Sequence, residues 1–242
     1  MSSEQPILVL AEDSEVRERI AERTRRLGHR VIRAATPARA LALACERQLH
    51  FDVGLLAAEP SILDQSGELE ALRARSLSGA LALIAAGPRP DTDAQQALRG
   101  AGVAIALWDP VGDHALRFFL NRVTSISDGT FPRGEPRSPT EWRASVFSSG
   151  REKQASVYCL SSGGAFLETP SPWLSGAEVA IELPLPSGPL TVVGRVVYTN
   201  VPGNLQRPGL PTGMAVRFTD TPEAERRALC RTVEDSVARY AL

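Results

Sequence analysis

A chain of 242 residues with 43% apolar and 23% charged residues has the make-up of an ordinary globular protein, and it is long enough for two domains of about 100–130 residues each. A formal net charge of -1 supplies no global positive field to hold nucleic acid phosphates or an anionic membrane surface, so nucleic acid is excluded as a partner and any anion site has to be local. Cys45, Cys159 and Cys230 are too few and too scattered for a disulfide framework or a zinc site, which points to a reducing compartment.

Taken in chain order, Ile7–Leu10 reads as a short strand, and the segment Val16–Leu27 spaces Val16, Ile20 and Leu27 as one face of a helix. The alternation continues with a strand at Arg30–Arg33, an alanine-rich helix at Pro37–Glu46, a strand at Val53–Leu56 and a helix at Gly67–Arg75. Ala80–Ile84 and Val103–Leu107 are the next strands, each followed by a helix, Thr92–Arg99 and Gly112–Val123. Strands that alternate with helices predict a doubly wound five-stranded parallel sheet covered on both faces, over residues 1–124.

Residues 125–139 gather Gly129, Pro132, Gly134, Pro136 and Pro139 among serines and charges, the composition of a linker. Beyond it the period changes to two, as in Ala177–Leu183 and Thr191–Tyr198, with Ser-Gly and Pro-Gly turns between runs. A mostly antiparallel β domain is predicted over 140–242, closed by a helix at Pro222–Arg239 whose apolar stripe is Ala224, Ala228, Leu229, Val233 and Val237. Met1–Pro6 has neither the basic flank nor the apolar stretch of a secretory signal, and no apolar run reaches membrane-spanning length. A soluble cytoplasmic protein with no membrane insertion is expected.

Four phrases of the first half, Ile7–Arg17 (ILVLAEDSEVR), Gly28–Ala34 (GHRVIRA), Phe51–Leu56 (FDVGLL) and Leu107–Pro110 (LWDP), resemble response-regulator receiver domains. That resemblance implies phosphoryl transfer to an aspartate, with an acidic pair for magnesium, a small hydroxyl residue and a lysine. The acidic pair falls on Ala11 and Glu12, the acceptor on Ala57, the hydroxyl on Ala85 and the lysine on Asp109. Alanine offers no nucleophile, so a phosphorylation-independent pseudo-receiver is expected. The first helix carries Arg17, Arg19, Arg23, Arg25 and Arg26 beside Glu15, Glu18 and Glu22. It reads first as a solvated face of i to i+4 ion pairs, and second as a docking surface. Phe118 and Phe119 in the last helix of this half fit core packing or a dimer face.

From Phe131 onward a second resemblance, to PilZ domains, rests on RxxxR at Arg133–Arg137, on Cys159-Leu-Ser161-Ser-Gly-Gly164 in place of DxSxxG, and on Gly194–Asn200 (GRVVYTN) and Pro211–Phe218 (PTGMAVRF). It implies a small six-stranded barrel and cyclic di-GMP as ligand. Arginine pairs bidentately with phosphate and stacks on guanine, which assigns Arg133 and Arg137 to the ligand together with Ser161 and Gly164. The alternatives are exposed linker arginines and a plain strand connection. Cys159 stands where the family has Asp or Asn, and a thiol is a weak acceptor for guanine donors. Losing one such partner costs about 1–3 kcal/mol, roughly 5- to 150-fold in affinity.

Catalysis is not expected, because no nucleophile–base pair, metal cluster or phosphate-cradling loop is present, and His29, His50 and His114 have no metal-ligand spacing. No cofactor is required by this reading. The expectation is a non-catalytic signalling protein that acts through a regulatory protein partner, with weakened or absent cyclic di-GMP binding. The alternative is a working cyclic di-GMP effector that controls motility, polarity or polysaccharide output.

Overall fold

Short apolar runs become inner parallel strands in the first half because helices cover both faces of each. In the computed structural model, which describes residues 5–77, 81–127, 135–207 and 209–242, the chain divides into Met1–Phe131 with Tyr240–Leu242 as one unit and Pro132–Arg239 as the other. The first unit runs β1 (Ile7–Leu10), α1 (Ser14–Arg26), β2 (Val31–Ala34), α2 (Pro37–Arg47), β3 (Val53–Leu56), α3 (Pro60–Leu63), α4 (Ser66–Ala74), β4 (Ala82–Gly87), α5 (Thr92–Gly100), β5 (Ile105–Trp108) and α6 (Asp113–Ser127). All five strands are parallel, in the order β2-β1-β3-β4-β5. β1 and β3 are buried along their whole length.

Side-chain caps set where the helices begin. Asp13 accepts from the amides of Glu15 and Val16 at 2.7 and 3.1 Å and starts α1; Thr36 with Pro37 starts α2; Asp91 starts α5. The single turn α3 has no counterpart in the sequence reading, since four residues are too few to show a helical period. Phe118 and Phe119 are both buried, and the Phe119 ring lies 5.0 Å from that of Tyr240. Residues Tyr240–Leu242 extend the sheet at its β5 edge, where Ala106 donates to Tyr240 and Leu242 donates to Ala104 at 2.9 and 3.2 Å. They thereby cover a row of backbone groups that an edge strand leaves open.

The second unit contains β6 (Ser138–Ser148), β7 (Arg151–Ser161), β8 (Gly164–Glu168), β9 (Glu178–Leu185), β10 (Gly188–Val201), the two-residue β11 (Asn204–Leu205), β12 (Gly213–Thr219) and α7 (Glu223–Ala238). Antiparallel pairing runs β10-β12-β8-β7-β6-β9, and β9 pairs back with β10, so six strands close into a barrel. Ser149 and Gly150, both at positive φ, make the two-residue turn between β6 and β7. Inward positions alternate along β9, where Val179, Ile181, Leu183 and Leu185 enter the core.

An open barrel end would leave that core wet, and α7 covers it. Leu229 and Val233 join the barrel core, and the Ser138 hydroxyl donates to that of Ser236. Leu229 is fully buried, so Leu229→Ala is expected to lower the stability of the barrel by about 2–5 kcal/mol. Denaturant titration followed by tryptophan fluorescence measures the loss.

Candidate functional site

In an open parallel sheet of order 2-1-3-4-5, ligands belong in the crevice beyond the carboxyl ends of β1 and β3, where the winding reverses. Four of the five positions singled out in the sequence for phosphoryl transfer bound that end. Ala11 follows β1, Ala57 follows β3 with its amide donating to Leu10 at 2.9 Å, and Asp109 follows β5 with its amide donating to Gly87 at 2.8 Å. Glu12 is exposed beside Ala11. Ala85 lies within β4, opposite Leu56 and Ala106. Neither Ala85 nor its successors Ala86 and Gly87 carries a hydroxyl.

Two residues outside the sequence assignments fill the crevice. Glu59, at the start of α3, accepts from the amides of Glu12 and Asp13, the latter at 3.3 Å. Arg17 donates to the carbonyls of Ala11 and Glu12, the latter at 2.9 Å. Those amides precede α1, where the helix dipole adds to their pull on an anion. The chain's own carboxylate therefore stands where an anion would be held. A hard cation needs several oxygen ligands. Asp13 is committed to the α1 cap and Glu59 to two amides, which leaves Glu12. The residues present do not fit the magnesium that the receiver resemblance implies.

Among the described residues the arginine face of α1 does not form the expected i to i+4 ion pairs. Among the described residues its partners are distant in sequence: Arg19 pairs with Asp109 at 2.7 Å, and Arg23 binds Asp113 at 2.8 Å and the Val111 carbonyl at 2.6 Å. Glu18 takes a hydrogen bond from Arg33, which holds its carboxyl below the usual carboxylate range. None of these is an i to i+4 pair, because the β5–α6 connection and β2 bring the counter-charges alongside the helix. Asp109, in the lysine position, thus has a cation of its own. The Arg19 pair is 48% and 32% exposed, so it contributes at most about 1 kcal/mol and acts mainly in positioning.

In the barrel, the ligand positions read from sequence separate into two groups. Arg133 lies outside the described residues. Arg137 is half-buried and, among the described residues, makes no hydrogen bond or ion pair. The Ser161 hydroxyl is buried and donates to the Gly164 carbonyl at 3.2 Å, inside the β7–β8 turn. A Cβ on Gly164 would sit 2.4 Å from the Val216 carbonyl oxygen, so glycine is required there by the approach of β12 to β8. Cys159 is buried on β7 and in no disulfide, opposite Pro139 and Phe166.

Glu135, inside the RxxxR segment, accepts from the Gly163 amide at 3.0 Å. Asn200, the last residue of GRVVYTN, is fully buried. Its amide donates to Leu210 and Pro211 at 2.9 and 3.1 Å and its oxygen accepts from Arg207, tying the end of β10 to the approach to β12. Against cyclic di-GMP the fit is partial: an arginine is available, but the guanine acceptor is replaced and the serine hydroxyl is engaged.

A parallel α/β unit with strand order 2-1-3-4-5 and a six-stranded barrel with a closing helix define a two-domain protein. The family model described as PilZ domain matches residues 132–235, so the second unit is a PilZ domain. The first half is similar to the Vibrio cholerae chemotaxis protein CheY4, with 20% identity over 50% of this chain and 99% of that one and a TM-score of 0.42. It is also similar to the signal receiver domain of an HD domain-containing protein from Pseudomonas fluorescens, with 19% identity over 53% and 93% of the two chains and a TM-score of 0.43. The Bacillus subtilis inhibitor of motility shares 16% identity over 45% of this chain and 53% of that one, at a TM-score of 0.36. No curated protein matches the chain. A PilZ domain with a receiver-like domain supports a signalling or regulatory role. Among the described residues no helix is long and apolar enough to cross a membrane, and no three His, Cys, Asp or Glu residues are grouped to hold a metal.

Removing the Glu59 carboxylate leaves two amides without an acceptor. Glu59→Ala is expected to destabilise the first unit by about 1–2 kcal/mol, the scale of a lost helix cap. Faster hydrogen exchange at the Glu12 and Asp13 amides would report it.

Proposed function

We propose that this chain is a non-catalytic cytoplasmic regulator whose receiver-like domain works without phosphorylation, whose PilZ domain binds cyclic di-GMP weakly or not at all, and which acts by contact with a protein partner. The observation that carries this is the end of β3. Ala57 has no group to phosphorylate, and the crevice beside it is occupied by Glu59 and Arg17 bonded to the backbone of Ala11, Glu12 and Asp13. No input by phosphoryl transfer is available to such a domain. For the barrel, support comes from Cys159, which cannot satisfy guanine donors, and from the inward commitment of Ser161.

A second reading keeps the ligand. Arg137 has no partner among the described residues, and with Arg133 it could still pair with phosphate and stack on guanine, as in a cyclic di-GMP effector. Calorimetric titration with cyclic di-GMP separates the two. The native protein is expected to show no micromolar binding. Cys159→Asp is expected to gain about 5- to 150-fold in affinity, the range for one restored polar partner. Micromolar binding by the native protein, lost in Arg133→Ala/Arg137→Ala, would instead establish the effector.

A further inference from the structure

An acidic side chain lies inside the segment that should attract phosphate. Glu135 sits between Arg133 and Arg137 in sequence, is exposed, and places its carboxylate on the Gly163 amide at 3.0 Å. A Cβ at residue 163 would come within 2.8 Å of that carboxylate oxygen, so the two groups are in close approach. Gly163 stands at the tip of the β7–β8 turn, and its carbonyl accepts from Phe218 at 2.9 Å within the barrel. Of the two hydroxyls at this turn, Ser161 and Ser162, that of Ser161 is already engaged with the Gly164 carbonyl.

We infer that Glu135 is an intramolecular anion plug: its carboxylate occupies the backbone donor that a phosphodiester would need at this turn, and any such ligand must displace it. This rests on the ligand-weak reading of the PilZ domain and adds a second cause to Cys159. A phosphate brought to Gly163 by Arg137 meets a fixed negative charge two residues away in the chain, and the two anions cannot share one N–H. Because Glu135 is exposed, its displacement is a local event that leaves the barrel core untouched. The plug therefore sets the affinity for the whole class of phosphodiester ligands, independently of which base they carry.

Four full-length proteins test this: native, Glu135→Ala, Cys159→Asp and the double variant, each titrated with cyclic di-GMP and each compared by amide NMR at Gly163. The Gly163 amide resonance is expected to move and to exchange faster in Glu135→Ala. The double variant is expected to bind about tenfold or more tightly than Cys159→Asp, the scale of one carboxylate–phosphate repulsion at an exposed site. Equal affinity of Cys159→Asp and the double variant would overturn the plug while leaving the Cys159 account standing. Native binding as tight as that of the double variant would overturn both. An unchanged Gly163 resonance in Glu135→Ala, or no binding by the double variant, would also overturn the plug.

Discussion

Backbone amides at the mouth of α1 point into the crevice above β1 and β3, and some group has to accept from them. In a fold of this winding that requirement normally creates a ligand site. Here it is met from within the chain: Asp13 accepts from Glu15 and Val16, and Glu59 accepts from Glu12 and Asp13. With the donors satisfied, Arg17 turns back to the carbonyls of Ala11 and Glu12, and Arg19 and Arg23 reach across to Asp109 and Asp113. These short-range contacts line the crevice.

The barrel follows similar logic with different parts. Its strands approach closely enough around β12 that Gly164 is fixed by backbone clearance, and Asn200 is consumed by the loop it clamps. Residues that a motif assigns to a ligand are thus first residues of the barrel. Among the described motif residues Arg137 keeps its side chain unengaged, and Glu135, two residues before it, is bonded to the turn at Gly163.

Much of this was legible in the sequence because it depends on local signals. Buried runs such as Ile7–Leu10 and Val53–Leu56 and the two-residue periodicity of β9 carry their structure in neighbouring residues. The substitutions Ala57 and Cys159 were equally visible, since each lies in a recognisable phrase. The partners of α1 were not: nothing near Arg19 in the chain announces Asp109, whose carboxylate arrives beside it only through the parallel winding. Glu59 and Glu135 were hidden for the same reason, as their acceptor roles are defined by amides 47 and 28 residues away in sequence. Gly134 and Pro136, which flank Glu135, read as linker residues and gave no hint of the contact made between them.

The central claim is that the α/β domain has no phosphorylation-dependent state. Amide NMR of the full-length protein with magnesium and acetyl phosphate addresses it directly, with the resonances of Glu12, Asp13, Ala57 and Asp109 as reporters. The account predicts that these signals stay in place and that intact mass shows no phosphoryl adduct. Saturable shifts at those residues accompanied by an adduct in the first unit would contradict it.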